Sequence, residues 1–472
     1  MSSSVNPLSS LDTALSTSGT GITSGTGLGQ GINVQQFVQF AVANQQAAIT
    51  ALETQQTSLG SQVSEISTIT SDLSNLQTAA AALSDPLGAL NAEVATSSNP
   101  NTLTASALGT ATAGAHTISI TNLATTSSYY TDEATSSSAP LATGDTIAIS
   151  VGGNSVASVT TNSGNNTLAQ IAAAINLQTT AVQASVITDA NGARLALVSG
   201  TSGLPGNIGV TGSLHLTDIN NTALNFHQAG VALNAALTVD GVPISSTTNT
   251  VSGAINGVTL NLTAPTVNNN VDNPVSLTVA PDTSQATAAI NNFVSAYNTV
   301  VTEINGQFNV APDGSGGGVL ENDPSLQAAQ GVLLGAASYS ISGNNGIVNL
   351  ASIGVNLNND GTLSVDNGAL STALTSNFSA VQNLLQNTTS GLSQNLATAI
   401  TSLSGPASGI LTLDTQGITS TSQSLTQQIS DLQAALVVQE QNLTTVYSQV
   451  NDTLQELPLL ENALNQQLSS IV

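Results

Sequence analysis

Three histidines, His116, His215 and His227, are the side chains of this 472-residue sequence whose ordinary titration lies nearest neutral pH, and none forms an HExxH or HxH pair. Cysteine is absent, which removes disulfides, thiolate-bound zinc and a cysteine nucleophile. The strings DANG (189–192) and NNDG (358–361) share the opening of calcium loops but lack the downstream acidic ligand of a twelve-residue loop, so they read as turns. The glycines before residue 32 follow no strand and precede no Lys-Ser/Thr pair, which leaves no phosphate cradle. The acidic residues, 26 in all, are sparse and show no spacing that proposes a general acid and base. His116 lies in an alternating segment and reads as structural. These residues imply no enzyme, no metal and no cofactor.

Charge narrows the partners. Lys plus Arg is 1, namely Arg194, and the formal net charge is -25. Nucleic acid is excluded, because nothing neutralises phosphate, and attraction to anionic lipid fails for the same reason. Ion pairs cannot organise the fold or its interfaces. An acidic surrounding medium and a compositionally biased genome each account for such a surface. Trp is absent and aromatics are 2 %, so the cores must be aliphatic. No apolar run of 18 residues is present to insert in a membrane, and the opening residues lack the basic and apolar regions of a cleaved secretory signal. The expectation is a cytoplasmic protein or one exported without a cleaved signal.

The elements that must organise such a chain are helical at both ends. Residues 1–32 are Gly/Ser/Thr-rich and are expected to be disordered in the isolated chain. From about Asn33, steps of four and three give a heptad seam through Val38, Val42, Gln45, Ile49, Leu52, Gln56, Leu59 and Val63. The stripe then shifts to Ile69, Leu76, Ala80 and Leu83 before Asp85-Pro86 stops the helix, which suggests a change of packing partner. A second seam runs through Leu425, Ile429, Leu432, Leu436, Gln439, Leu443, Val446 and Val450, and continues to Ile471. A helix over 418–471 would be roughly 80 Å long and needs a partner for its seam. The partner expected is the 33–83 helix, with Leu432 and Leu436 buried against Leu52, Leu59 and Val63, and Gln433 pointing away. Pro458 is expected to kink or interrupt the last helix.

Between the ends the period changes. Residues 93–280 alternate in short segments between Gly and Asn turns, interrupted by one helix around NNTLAQIAAAIN, and read as a β-rich head of two subdomains split near 215–235. Helical character resumes near Ser284. A Gly-rich link at 314–318, a helix at 323–337, a hairpin at 353–366 and a helix over 367–386 follow. The fold class is α+β and multidomain: a terminal α-helical coiled-coil stalk with a β-rich head inserted between the N- and C-terminal helices. The divisions expected are 1–32, a helical stalk over 33–92, the head over 93–280, a helical domain with hairpin over 281–417, and the last coiled-coil helix over 418–472.

That order of elements, with specific strings, resembles the FliD family of flagellar filament caps, also called hook-associated protein 2. GTGLGQGINVQQFVQFAV resembles the family's N-terminal signature, with Leu28, Gly29, Gly31, Ile32 and Asn33 in the matching pattern and Gln30 where a small residue is more usual. The stretches 101–124, 166–203, 352–385 and 409–436 resemble successive family regions in order and spacing. The loss of nearly all Lys and Arg, and Tyr447 and Val450 where Phe and Met are common, depart from it. The resemblance implies a non-enzymatic cap at the distal end of the filament, promoting folding and polymerisation of exported flagellin and preventing its loss. It further implies a ring of identical subunits, flagellin as a partner, an export chaperone, an extracellular site at the flagellum tip and no cleaved signal peptide. Another axial protein, such as a hook-filament junction protein or a flagellin, and a surface adhesin are the alternatives.

Overall fold

The computed structural model describes residues 33–268, 271–309 and 317–469. The segment expected to be disordered (1–32), most of the Gly-rich link and Ile471 lie outside the described residues. Eight α-helices are described: α1 (Val34–Ser84), α2 (Leu168–Gln178), α3 (Thr283–Phe308), α4 (Pro324–Ala337), α5 (Asn367–Ser376), α6 (Phe378–Gln386), α7 (Leu392–Ser404) and α8 (Ile410–Ser469).

Acidic and amide side chains start four of these helices. Asn33 caps α1, and Asp282, Asp323 and Asp366 each accept two backbone N–H groups at the starts of α3, α4 and α5. A carboxylate there fills orphan donors and meets the positive end of the helix dipole. In a chain with one cation, backbone amides thus take the place of Lys and Arg as partners for these carboxylates.

Helices α3 to α7, the C-terminal half of α1 and the first turn of α8 share one aliphatic core with the hairpin Val355–Leu357/Leu363–Val365. Tyr297 and Phe293 are its largest fully buried side chains, their ring centroids 6.4 Å apart. The hairpin turns at Gly361, whose φ of +83° suits a residue without a Cβ. The helix expected over 367–386 is two helices, because the backbone of Asn377 leaves the helical region (φ -139°) and lets α6 turn Val381, Leu384 and Leu385 into the core.

The β-rich part has two nested cores. In the inner one a five-stranded antiparallel sheet, ordered 93–97, 275–281, 114–122, 235–239 and 242–246, meets a three-stranded sheet of 250–255, 258–262 and 103–107. In the outer one the sheet 226–230, 126–131, 193–202 and 182–188 packs with the sheet 154–160, 146–151 and 208–211 and with α2. The chain crosses between them twice, near 125–134 and near 224–235, rather than once near 215–235. The outer core is an insertion in the inner one, an arrangement that strand pairing across more than 100 residues creates and local periodicity does not reveal.

Helix α8 runs unbroken through Pro458. The proline removes one intrahelical donor, but this part of α8 is largely exposed, so water can satisfy the freed carbonyl.

Candidate assembly interface: the paired terminal helices

Helices α1 and α8 lie antiparallel. Phe37 meets Tyr447 with ring centroids 5.7 Å apart, Gln45 Nε2 donates to Gln439 Oε1 at 2.7 Å, and Gln56 Nε2 donates to Thr426 Oγ1 at 2.6 Å. Gln433, expected to point away, donates to Glu53 Oε1 at 3.3 Å. Between these contacts Val42, Ile49, Ile429 and Leu436 form a buried cluster, with Leu52 and Leu443 packed against it. Every inter-helix polar contact named here is an amide, hydroxyl or single carboxylate. None is an ion pair, as a chain with one cation requires.

The predicted seam residues divide. Val38, Val42, Ile49, Leu425, Ile429 and Leu436 are buried, and Leu52, Leu59, Val63 and Leu443 are half-buried. Leu432, Val446 and Val450 are instead 40 %, 53 % and 44 % exposed, which corrects the expectation that Leu432 is buried beside Leu436. Helix pitch explains the difference. A strict seven-residue repeat drifts about 20° per heptad around a straight helix of 3.6 residues per turn. The row that faces α1 is therefore Leu425, Ile429, Leu436, Leu443 and Tyr447, while the strict repeat walks off it. It emerges on the neighbouring face as Val446, Val450, Leu457 and Leu464, all exposed in this chain. Because α1 begins at Val34, opposite about residue 450, the last third of α8 has no α1 beside it.

Sequence reasoning missed the ring contact of Phe37 with Tyr447 and two carboxyl pairs that join α1 and α8 to the body, Glu65 with Glu303 and Asp414 with Asp323. For the carboxyl pairs no periodic signal exists, since their members are 238 and 91 residues apart and meet only through the tertiary fold.

Elsewhere each histidine meets a carboxylate: His116 Nδ1 lies 2.8 Å from Asp240, His215 Nδ1 3.1 Å from Asp145, and His227 Nε2 2.7 Å from Asp132. Arg194 pairs with Glu133 at 2.7 Å and lies over the Tyr130 ring. Hydrogen bonds from His116 and His227 hold Asp240 and Asp132 below the ordinary carboxylate range. Among the described residues no group of three or more His, Cys, Asp or Glu is placed to hold a metal ion, and no helix is long and apolar enough to cross a membrane.

Comparison with known proteins fits this architecture. The model of the flagellar hook-associated protein 2 N-terminus matches residues 30–127, and that of the C-terminus matches residues 232–458. The unmatched stretch between them is close to the outer β core. The B-type flagellar hook-associated protein 2 of Pseudomonas aeruginosa is 32 % identical over 308 residues, covering 59 % of this chain and 64 % of that one. The flagellar hook-associated protein 2 of Escherichia coli K12 is 28 % identical over 347 residues, covering 69 % and 72 %. The crystal structure of the D1-D2-D3 domains of the flagellar cap protein FliD from Escherichia coli is similar at 29 % identity, with a TM-score of 0.53 over 75 % of this chain and 99 % of that one. The N-terminal and C-terminal family models both match in sequence, in order along the chain, and three quarters of the chain is similar in three dimensions to a solved FliD structure, so this chain belongs to the flagellar hook-associated protein 2 family.

Proposed function

We propose that the protein caps the distal end of the bacterial flagellar filament, where it promotes folding and polymerisation of exported flagellin and prevents its loss. The observation that carries the reading is the α1/α8 pair: a long antiparallel stalk with an exposed apolar stripe on α8, in a chain matched at both ends to hook-associated protein 2. Capping needs grip without bond chemistry. The stripe supplies apolar burial worth roughly 25 cal/mol per Å² removed from water. The polar seam residues Gln45, Gln56 and Gln439 fix register and keep the grip reversible. In this reading the chain is an extracellular structural protein at the flagellum tip, assembled as a ring of identical subunits against flagellin. It reaches the tip without a cleaved signal peptide, escorted by an export chaperone. The stalk, the β-rich head and the intervening helical domain are its working divisions, although the C-terminal half of α1 is packed into the helical body.

Expression in a strain lacking its own cap protein tests this. Restored filaments, with flagellin retained on cells instead of lost to the medium, are the expected result. Secretion of the chain with continued loss of flagellin would overturn it.

A further inference from the structure

The stalk is anchored where α1 and α8 enter the helical body. There α1 presents Glu65 to Glu303 of α3, and Gln307 Nε2, one turn further along α3, donates to Glu65 Oε1 at 2.9 Å. On the other side α8 presents Asp414 to Asp323, the cap of α4. Asp323 Oδ1 already accepts the amides of Ser325, at 2.7 Å, and Leu326, at 3.3 Å. Asp414 Oδ2 is buried with no hydrogen-bond partner. In the α1/α8 register Glu65 stands opposite about residue 419, so the two pairs lie within roughly 8 Å of each other along the stalk at 1.5 Å per residue. Towards the free end of this level the two helices lean mainly on each other.

Two facing carboxylates need a cation or a proton between them. No cation is available. Arg194, the single Lys or Arg, sits in the outer β core on Glu133, and the three histidines sit on Asp240, Asp145 and Asp132. The remaining charged group of this region, Glu321, is also acidic and accepts from the Gly317 amide.

We propose that these carboxyl pairs form a proton-held clamp: a proton shared within each pair fastens the base of the stalk to the body in acid, and its loss towards neutral pH turns the junction into a hinge. A proton on Asp414 Oδ2 would give that buried oxygen the donor role it lacks, directed at Asp323. Burial first, and then the Asp323 carboxylate, push Asp414 up to about 6 against the opposing hydrogen bond from Ser325, and the hydrogen bond with Glu303 followed by burial pushes Glu65 upward. Groups raised on folding contribute stability that is complete below the ordinary carboxylate range and is lost as pH rises through the folded value. For Asp414 that window runs from about 4 to about 6. The clamp is a property of the junction whatever the stalk grips.

The absence of native cysteine lets two spin labels report on the hinge. Labels at Gln441→Cys on the stalk and Ser371→Cys on the body should give a narrow distance distribution at about pH 4, broadening through about pH 6. A control pair within the body, Ser371→Cys and Ser402→Cys, should stay unchanged over the same range. In the Asp414→Asn, Glu65→Gln double variant each amide supplies a permanent donor, so the stalk distribution should stay narrow throughout. A parent distribution that does not change with pH, or pH-dependent broadening that persists in the double variant, would overturn the clamp. So would equal broadening of the control pair, which would mean general loosening in place of a hinge.

Discussion

The two halves of α1 carry similar aliphatic side chains at similar spacing and differ in what surrounds them. From Ile66 to Leu83 the helix meets α3, α7 and α6, and Ile69, Leu73 and Leu76 are 0 % exposed. From Val38 to Leu59 its main neighbour is α8, and Leu52 and Leu59 remain half-buried. Breadth of burial follows the number of neighbouring helices: single stalk residues such as Ile49, 1 % exposed, lie as deep as those of the body, but the stripe they form is narrower. A pair of helices covers one narrow stripe, whereas a helix lodged among several loses a broad face to the core. The body should therefore behave as the stable unit and the stalk as one that opens locally at lower cost.

The largest effect expected from this contrast is in the body. Leu73→Ala removes a fully buried side chain among packed helices and should cost about 2–5 kcal/mol, read as a lower midpoint in thermal unfolding of the helical core. The same truncation at half-buried Leu59 should cost clearly less. Equal losses at the two positions would show that the stalk is packed as firmly as the body.

Next comes Leu436→Asp, which places a carboxylate in the buried stalk cluster with no Lys or Arg to pair it. The cost should be about 3 kcal/mol, enough to part the helices. Hydrogen exchange should lose protection over residues 38–56 and 425–447 while α3 to α7 keep theirs. Loss of protection across the body as well would mean that stalk and body fold as one unit.

How much of this was legible in the sequence depends on the range of the interaction that decides it. The helix stop at Asp85-Pro86, the Asn33 start and the turn at Gly361 are set by residues within a few positions, and the text of the chain carries them. The shift of stripe after Val63 announced a change of partner, because the partner's side is recorded in the period itself. The nesting of the two β cores and the meeting of Glu65 with Glu303 depend on contacts made after long stretches of chain are brought together, and leave no period to read. Leu432 is the instructive case between them. Its spacing is that of a seam, yet the helix must supercoil for a strict heptad to keep facing its partner, and the row actually buried follows 3.6 residues per turn.

Leu432→Ala therefore sharpens the comparison. The side chain is 40 % exposed, so the change should alter stability of the free chain by no more than about 0.5 kcal/mol in thermal unfolding. If the emergent stripe is covered only in the assembled cap, the paired change Val446→Ser, Val450→Ser should leave the free chain folded and secreted but reduce filaments in the cap-deficient strain. Full restoration of filaments by that variant would assign the grip to a different face.

A last, small effect concerns register. Gln45 and Gln439 form a neutral amide contact at 2.7 Å at the edge of the aliphatic cluster. Gln439 is half-buried, so after Gln45→Ala its carbonyl can turn to water, and the loss should stay near 0.5–1 kcal/mol. A double-mutant cycle with Gln439→Ala should recover most of that as coupling energy, because the two side chains meet each other directly. The coupling should change little with added salt, since neither side chain carries a charge to be screened. A coupling that falls steeply with salt would mean that nearby carboxylates such as Glu53 and Glu440 set the register, and that the amides only follow.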